Sequence, residues 1–214
     1  MVTEPLTIGV IGIQGAVSEH VTMMKQVFSD LSLYGTVRVI KPSDSISDCD
    51  GVILPGGEST TISRVLTSSG LFSELQKRAF EKSLVIMGTC AGCILLSSDL
   101  VNTTKDVNVL GLMDMQVQRN AYGRQKESFE QNINISSMSS DNTDLLFPAV
   151  FIRAPVIKKV WGESIEVLSF DAAQKPVMVR QDNCVALTFH PELSNDTRIH
   201  QYFLSLVQTY KKKM

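Results

Sequence analysis

Short apolar runs that end in glycine-containing turns are the feature that most constrains the fold of this chain. Three such runs, at residues 6–13, 51–54 and 84–87, stop at Gly15, at Gly56-Gly57 and at Gly88. Near-continuous apolar runs are typical of strands that are covered on both faces. Because helical patterns follow each of them, the sequence predicts an α/β fold with a doubly wound, mostly parallel sheet and helices on both faces.

The remaining elements follow from periodicity. Helices are predicted over 59–68, 71–82 and 91–98. An earlier helix is predicted from an apolar stripe formed by Val17, Val21, Met24, Phe28 and Leu31. The last predicted helix begins at about Thr197, with Asn195 or Asp196 as its N-cap. A further strand is expected at 36–40. The second half contains strand-like segments at 115–122, 150–153, 165–170, 176–180 and 185–189, which predict an antiparallel extension of the sheet. The Ser- and Asn-rich segment 132–142 is predicted to be a loop.

Length and charge restrict the class of protein. A chain of 214 residues with 43% hydrophobic residues predicts a single domain that spans 1–214. A net charge of -2 argues against general attraction to nucleic acid or to an anionic membrane surface. The N-terminal residues lack the basic region of a signal peptide, so we expect a cytoplasmic protein whose four cysteines are reduced.

Gly88-Thr89-Cys90-Ala91-Gly92 places one cysteine in a glycine-flanked turn between a predicted strand and a predicted helix. This is the pattern of a nucleophile elbow, in which a sharp turn exposes the side chain at its apex. The amides at the start of the following helix face the sulfur and favour the thiolate. The sequence therefore predicts Cys90 as a nucleophile.

The chain has three histidines, and one of them is suited to be the base for Cys90. His20 and His200 lie within predicted helices, whereas His190 follows a predicted strand, at the carboxyl end where active sites of such sheets assemble. Glu192 comes two residues later, after a proline that fixes the turn. A carboxylate against one imidazole nitrogen leaves the other nitrogen free to exchange protons with a thiol.

Three other interpretations of Cys90 are compatible with the sequence. Free cysteines are most often small buried hydrophobic residues. Cys90 and Cys93 also have the C-x-x-C spacing of a redox motif. A zinc site is a weaker alternative because the second pair of ligands is missing.

Pro55-Gly56-Gly57-Glu58-Ser59 forms another turn at the end of a predicted strand. Glycine allows an amide there to face a developing oxyanion, so Gly57 and Ala91 are the predicted oxyanion donors. The same residues could instead form only a tight turn.

Four segments together resemble the class I, triad-type glutamine amidotransferases: Gln14-Gly15-Ala16, Pro55-Gly56-Gly57-Glu58-Ser59-Thr60, Gly88-Thr89-Cys90-Ala91-Gly92 and His190-Pro191-Glu192. The segments Arg119-Asn120-Ala121-Tyr122-Gly123-Arg124-Gln125, Ser128-Phe129 and Phe151-Ile152-Arg153-Ala154-Pro155 are similar, more narrowly, to the glutaminase subunits of pyridoxal 5'-phosphate synthases. The resemblance covers residues 8 to 205.

The resemblance implies a glutaminase in which Cys90 attacks the side-chain amide of L-glutamine, His190 moves the proton and Glu192 orients His190. It implies glutamine contacts from Gly57, Glu58, Ser59, Arg119, Ile152 and Arg153. It also implies no cofactor and no metal, and a barrel-shaped synthase subunit as the partner in a hetero-oligomeric complex that receives the ammonia.

Gln14 would couple docking of that partner to the oxyanion site, and we expect the Gly56–Gly57 peptide to be in an inactive orientation in the free chain. Two alternatives stay open: a class I glutaminase that serves another acceptor, and a non-catalytic DJ-1-like module.

Overall fold

The computed structural model describes residues 5–101, 106–119, 128–136 and 146–213. The strands are β1 (Leu6–Ile11), β2 (Gly35–Ile40), β3 (Gly51–Leu54), β4 (Val85–Thr89), β5 (Ser97–Val101), β6 (Met113–Gln118), β7 (Ser128–Ile133), β8 (Phe147–Ile152), β9 (Val156–Val160), β10 (Ile165–Phe170), β11 (Pro176–Gln181) and β12 (Cys184–Leu187). The helices are α1 (Val17–Asp30), α2 (Ser59–Ser69), α3 (Leu71–Phe80), α4 (Ala91–Leu96) and α5 (Arg198–Lys211), and a 3₁₀ turn covers Pro191–Leu193.

A seven-stranded sheet in the order β10-β11-β12-β4-β3-β1-β2 forms the centre of the fold. The strands from β12 to β2 run parallel, and β10 and β11 continue the sheet antiparallel at one edge. The predicted doubly wound, mostly parallel sheet is confirmed. The antiparallel extension contains only two of the five segments predicted for it, 165–170 and 176–180. The segment 185–189 overlaps β12, which is parallel to β4, and 115–122 and 150–153 overlap strands of smaller sheets. Two smaller sheets, β5-β6-β9 and β7-β8, lie outside the central one.

Side chains on the central strands alternate between two hydrophobic cores, as a pleated strand requires. On β4, Val85 and Met87 join the core that contains α1 and α5, whereas Ile86 joins the core that contains α2, α3 and α4. Both faces of the sheet are therefore covered. This burial explains why the strands appear as unbroken apolar runs in the sequence. None of the described helices is long and apolar enough to cross a membrane.

Several predicted boundaries were wrong. The first strand ends at Ile11, two residues early, and α1 ends at Asp30, which leaves Leu31 45% exposed and outside the core. The helix that begins at Ala91 stops at Leu96, because the Ser97 hydroxyl donates to the Ile94 carbonyl and Ser97 turns to an extended conformation.

The strands β5, β7 and β9 were not predicted. Residues 132 and 133 of the predicted loop belong to β7. Residues 137–142 of that loop, and 120–122 of the predicted strand 115–122, lie outside the described residues. At the last helix the N-cap is Thr197, not the predicted Asn195 or Asp196, although Asp196 Oδ1 accepts the Arg198 amide at 3.0 Å.

Close backbone packing holds α4 against the sheet. A Cβ on Gly92 would lie 2.1 Å from the carbonyl oxygen of Leu54 on β3, and one on Gly88 would lie 2.6 Å from the Gly92 carbonyl. Neither approach leaves room for a methyl group. The two glycines that flank Cys90 are therefore required by the contact between helix and strand.

We predict that Gly92→Ala lowers the free energy of unfolding by about 1 to 3 kcal/mol, the usual cost of overpacking a core. Denaturant unfolding measures this change. Gly111→Asn is the matched control, because Gly111 has a positive φ of 66°, which asparagine tolerates, and a Cβ there would meet none of the described atoms within 4 Å. Equal stability of Gly92→Ala and the wild type would contradict the packing argument.

Candidate active site

Cys90 lies in a strained turn between β4 and α4. Its φ of 50° and ψ of -101° are rare for a residue with a side chain, and such strain is concentrated at functional sites. The Cys90 amide donates to the carbonyl of Leu187 on β12 at 2.8 Å. The thiol Sγ lies 3.8 Å from the Ile152 carbonyl, and the residue is only 8% exposed. This is the geometry expected of a nucleophile elbow.

His190 and Glu192 follow the strand next to the one that carries Cys90. The His190 amide donates to the Val150 carbonyl on β8 at 2.8 Å, which fixes the start of the 3₁₀ turn. The turn brings Glu192 back under the imidazole, where its Oε1 lies 2.8 Å from His190 Nδ1. Both residues are buried. The structure therefore brings the three predicted catalytic residues together.

Hydrogen bonds and charge stabilise the protonated form of His190. Burial lowers the pKa of its imidazole, but hydrogen bonds to Cys90 and Glu192, together with their charges, outweigh burial and raise the pKa from 6.5 to about 10. A cation between a sulfur and a carboxylate is the arrangement that a Cys-His-Glu triad requires. The site can therefore hold a proton ready for a leaving group.

An open pocket of about 320 Å³ lies over Cys90 and His190. Its other lining residues are Gly57, Glu58, Ser59, Ile94, Arg119, Ile152 and Arg153. All six residues for which the resemblance implied glutamine contacts are in this lining. Ile94 was not predicted; it lies one helical turn after Cys90, and that spacing is the signal that could have identified it.

Glu58 and Arg119 form an ion pair at the rim of the pocket. Arg119 Nη2 lies 3.3 Å from Glu58 Oε1 and donates to Thr60 Oγ1 at 3.1 Å. Glu58 also caps α2 by accepting the amides of Thr60 and Thr61. Slight burial raises the pKa of Glu58, but these hydrogen bonds prevail and lower it to about 2. The charge of Glu58 is thus shared between a helix cap and an arginine.

The Gly56–Gly57 turn lies between the Gln14–Gly15 segment, which follows β1, and His190. A Cβ on Gly56 would lie 2.5 Å from His190 Cε1, so the imidazole packs directly on this backbone. Gly57 has a positive φ of 138°, and the next amide, that of Glu58, donates to Gln14 Oε1 at 3.1 Å. Ala91 follows Cys90 at the start of α4. The oxyanion roles of Gly57 and Ala91, and the inactive orientation of the turn, stay predictions.

The other cysteines have the character of buried thiols. Burial raises the pKa of Cys93, and the neighbouring Cys90 adds to this increase; burial likewise raises the pKa of Cys49 to about 11 and that of Cys184 to about 12. Cys93 is fully buried, and all four cysteines are free. A buried thiol with a raised pKa is a poor partner for thiol exchange, which weighs against the redox interpretation of Cys90 and Cys93.

Two histidines without a predicted role lie behind the triad. His20 on α1 and His200 on α5 are fully buried, and His20 Nε2 lies 3.2 Å from Glu192 Oε2. In the sequence, each of these two histidines lies beside apolar residues at helical spacing, and this pattern does not by itself distinguish a packing role from a functional one. The segment 120–125 of the Arg119 motif lies outside the described residues.

A family model and close relatives assign this chain to one family. Residues 10–209 match the model of the SNO glutamine amidotransferase family. The pyridoxal 5'-phosphate synthase subunit PdxT of Staphylothermus marinus is 43% identical over 94% of this chain and 98% of the relative, and the PdxT of Pyrococcus furiosus is 44% identical over the same shares. A crystal structure of a glutamine amidotransferase superposes with a TM-score of 0.80 at 38% identity, covering 94% of this chain and 98% of that one.

We predict that Glu192→Gln lowers the pKa of His190 from about 10 toward its usual 6.5, because the variant loses the carboxylate charge that, together with Cys90, raises the pKa against the effect of burial. NMR titration of the imidazole measures this shift, and Glu19→Gln on the exposed side of α1 is the control. Since the folded pKa is raised, His190 contributes stability that is complete below pH 6.5 and is lost as the pH rises through about 10. An unchanged pKa in Glu192→Gln would show that Glu192 does not stabilise the cation.

Proposed function

The chain belongs to the SNO glutamine amidotransferase family, and from this premise we infer that it is the glutaminase subunit of a pyridoxal 5'-phosphate synthase. It hydrolyses L-glutamine to L-glutamate and ammonia, and the ammonia is used to make pyridoxal 5'-phosphate, the active form of vitamin B6. The observation that carries this proposal is the pocket in which Cys90 and His190 meet the implied glutamine contacts, with Glu192 at 2.8 Å from His190.

In the proposed mechanism, Cys90 Sγ attacks the side-chain amide carbon of glutamine and the carbonyl oxygen becomes an oxyanion. The amides of Gly57 and Ala91 stabilise that oxyanion, each contributing about 3 to 4 kcal/mol in the transition state. His190 gives its proton to the departing nitrogen, and ammonia leaves behind a thioester. His190 then takes a proton from water, whose oxygen attacks the thioester and releases glutamate.

The polar lining of the pocket suits the two charged ends of a free amino acid. Arg119 and Arg153 provide cations for the carboxylate of glutamine, and Glu58 provides a carboxylate for its ammonium group. Ser59 is buried at the start of α2, and Ile152 places its carbonyl beside the nucleophile. We assign these residues, with Gly57, to glutamine binding.

The proposed partner is a barrel-shaped synthase subunit in a hetero-oligomeric complex. Docking would have to act on the backbone at the pocket, and we propose that Gln14 transmits it. Two observations support this role: Gln14 is exposed, and its side-chain oxygen accepts the amide of Glu58, the residue after Gly57. Ammonia passed directly to a docked partner escapes protonation in bulk water. We further propose that the chain is one glutaminase domain over 1–214 and acts in the cytoplasm.

We predict that the chain mixed with its synthase partner produces glutamate from glutamine, and that Cys90→Ala reduces kcat by about a thousandfold or more, as loss of a nucleophile does. A coupled assay for glutamate measures this. Cys93→Ala is the matched control and keeps its activity, because Cys93 is a fully buried thiol. Equal losses in both variants would favour a redox pair, and activity that survives Cys90→Ala would overturn the mechanism.

Arg119→Gln tests the binding assignment. Loss of a charge-assisted contact to the glutamine carboxylate is expected to raise KM by about tenfold or more while kcat changes less. Steady-state kinetics of the complex separate the two constants. Arg64→Gln, an exposed substitution on the helix that Glu58 caps, serves as the control. An unchanged KM in Arg119→Gln would remove Arg119 from the glutamine site.

A further inference from the structure

A row of buried polar side chains continues beyond the triad into the core between α1 and α5. His20 Nε2 lies 3.2 Å from Glu192 Oε2, and His20 Nδ1 lies 3.0 Å from His200 Nε2. His20 and His200 are 0% exposed, and so is the side chain of Glu192. The mechanism proposed above uses Glu192, at one end of this row, but neither of the two histidines.

We propose that His20 is a positioning residue that donates its Nε2 proton to Glu192 Oε2, and that His200 fixes the His20 tautomer that makes this possible. The proposal rests on the function above, since it concerns the carboxylate that orients the catalytic imidazole. It assigns a role to two side chains that touch neither Cys90 nor the pocket.

The argument begins with the second oxygen of Glu192. Oε1 is bound to His190, whereas Oε2 is buried and has no hydrogen bond of standard geometry among the described residues. A buried carboxylate oxygen without a donor is costly. His20 Nε2 is at the long end of the N–H···O range, so a small rotation of its ring aligns an N–H with Oε2.

The position of the protons follows from counting donors. A neutral imidazole has one N–H. If His20 carries it on Nε2, then Nδ1 accepts from His200 Nε2, and His200 Nδ1 is a bare acceptor, in agreement with its lack of a partner among the described residues. The opposite assignment points the Nε2 lone pair of His20 at the carboxylate and leaves His200 with a buried, unpaired N–H. The first assignment avoids both penalties.

Both histidines stay neutral in this arrangement. Burial lowers the pKa of His20 well below its usual value, with additional contributions from His200 and His190, and burial lowers the pKa of His200 to about 3. A neutral donor orients Glu192 without cancelling its charge. Glu192 therefore keeps its full attraction for the His190 imidazolium, which a cation at position 20 would weaken.

Thr89 connects this row to the elbow. Its hydroxyl Oγ1 lies 3.3 Å from His20 Nε2, and the residue is buried directly before Cys90 at the end of β4. In the proposed tautomer, the Nε2 proton of His20 therefore faces both the Thr89 hydroxyl, next to Cys90, and the Glu192 carboxylate. A loose Glu192 would leave His190 free to turn away from Cys90.

The test compares His20→Leu, which removes the donor at similar volume, with His20→Gln, whose terminal NH₂ lies near the position of Nε2. In the full complex with its synthase partner, His20→Leu is expected to lower kcat for glutamine about 10- to 100-fold, a range taken by analogy from residues that hydrogen-bond to metal-binding side chains and orient them. KM should stay within about twofold, because the pocket is unchanged, and His20→Gln should recover most of kcat. Met24→Leu, a fully buried change on the same helix, is the packing control.

A second readout does not depend on catalysis. The low-field proton NMR signal of His190 Nδ1–H in the free chain, identified by its loss in Glu192→Gln, should broaden in His20→Leu and persist in His20→Gln and Met24→Leu. Equal losses of kcat in all three variants, or an unchanged kcat with a persistent signal in His20→Leu, would overturn the positioning role.

Should His20→Leu fail to fold, His200→Leu takes its place, since it leaves His20 without the donor that fixes its tautomer. A smaller fall in kcat and partial broadening are expected, and unchanged values would overturn the proposal. A wild-type complex that does not hydrolyse glutamine would instead refute the proposed function, while the NMR comparison would still decide whether His20 holds Glu192.

Discussion

The hydrogen bond from the Cys90 amide to the Leu187 carbonyl is the contact on which the site depends. It closes the parallel pairing of β4 with β12 at the ends of both strands. Cys90 directly follows β4 at this point, and His190 lies three residues after Leu187, the last residue of β12. Because parallel strands end at the same edge of a sheet, two distant segments of the chain meet here without a dedicated loop.

Two neighbours of this contact pack directly against backbone. The His190 ring lies on Gly56, the elbow helix lies on Leu54 through Gly92, and Cys90 itself has a positive φ. Such a turn is stable only when its surroundings leave no alternative. Gly56 and Gly92 therefore allow the His190 ring and α4 to approach the backbone closely, and this packing stabilises the positive φ of Cys90.

The sequence was sufficient for those features that depend on uninterrupted patterns. Buried parallel strands such as β3 are apolar throughout. The elbow and the His190 turn each lie within one short, continuous segment of sequence. The positions of these features were therefore predictable. The strand β7 was not, because its alternation includes Glu130 and Asn132 and half of it is exposed. Its pairing with β8 is a tertiary contact that no local pattern indicates.

The two helical histidines show a different limit. Apolar periodicity identifies the buried face of a helix, but it assigns no role to a histidine that lies on that face. Only the fold reveals that His20 and His200 face each other from α1 and α5 and that Glu192 completes the row. Replacing such a row with packed apolar side chains is often neutral or stabilising when the charge goes as well. In the mechanism proposed for this chain Glu192 stabilises the His190 imidazolium as a carboxylate, and the proposed neutral donor at His20 leaves that charge uncancelled.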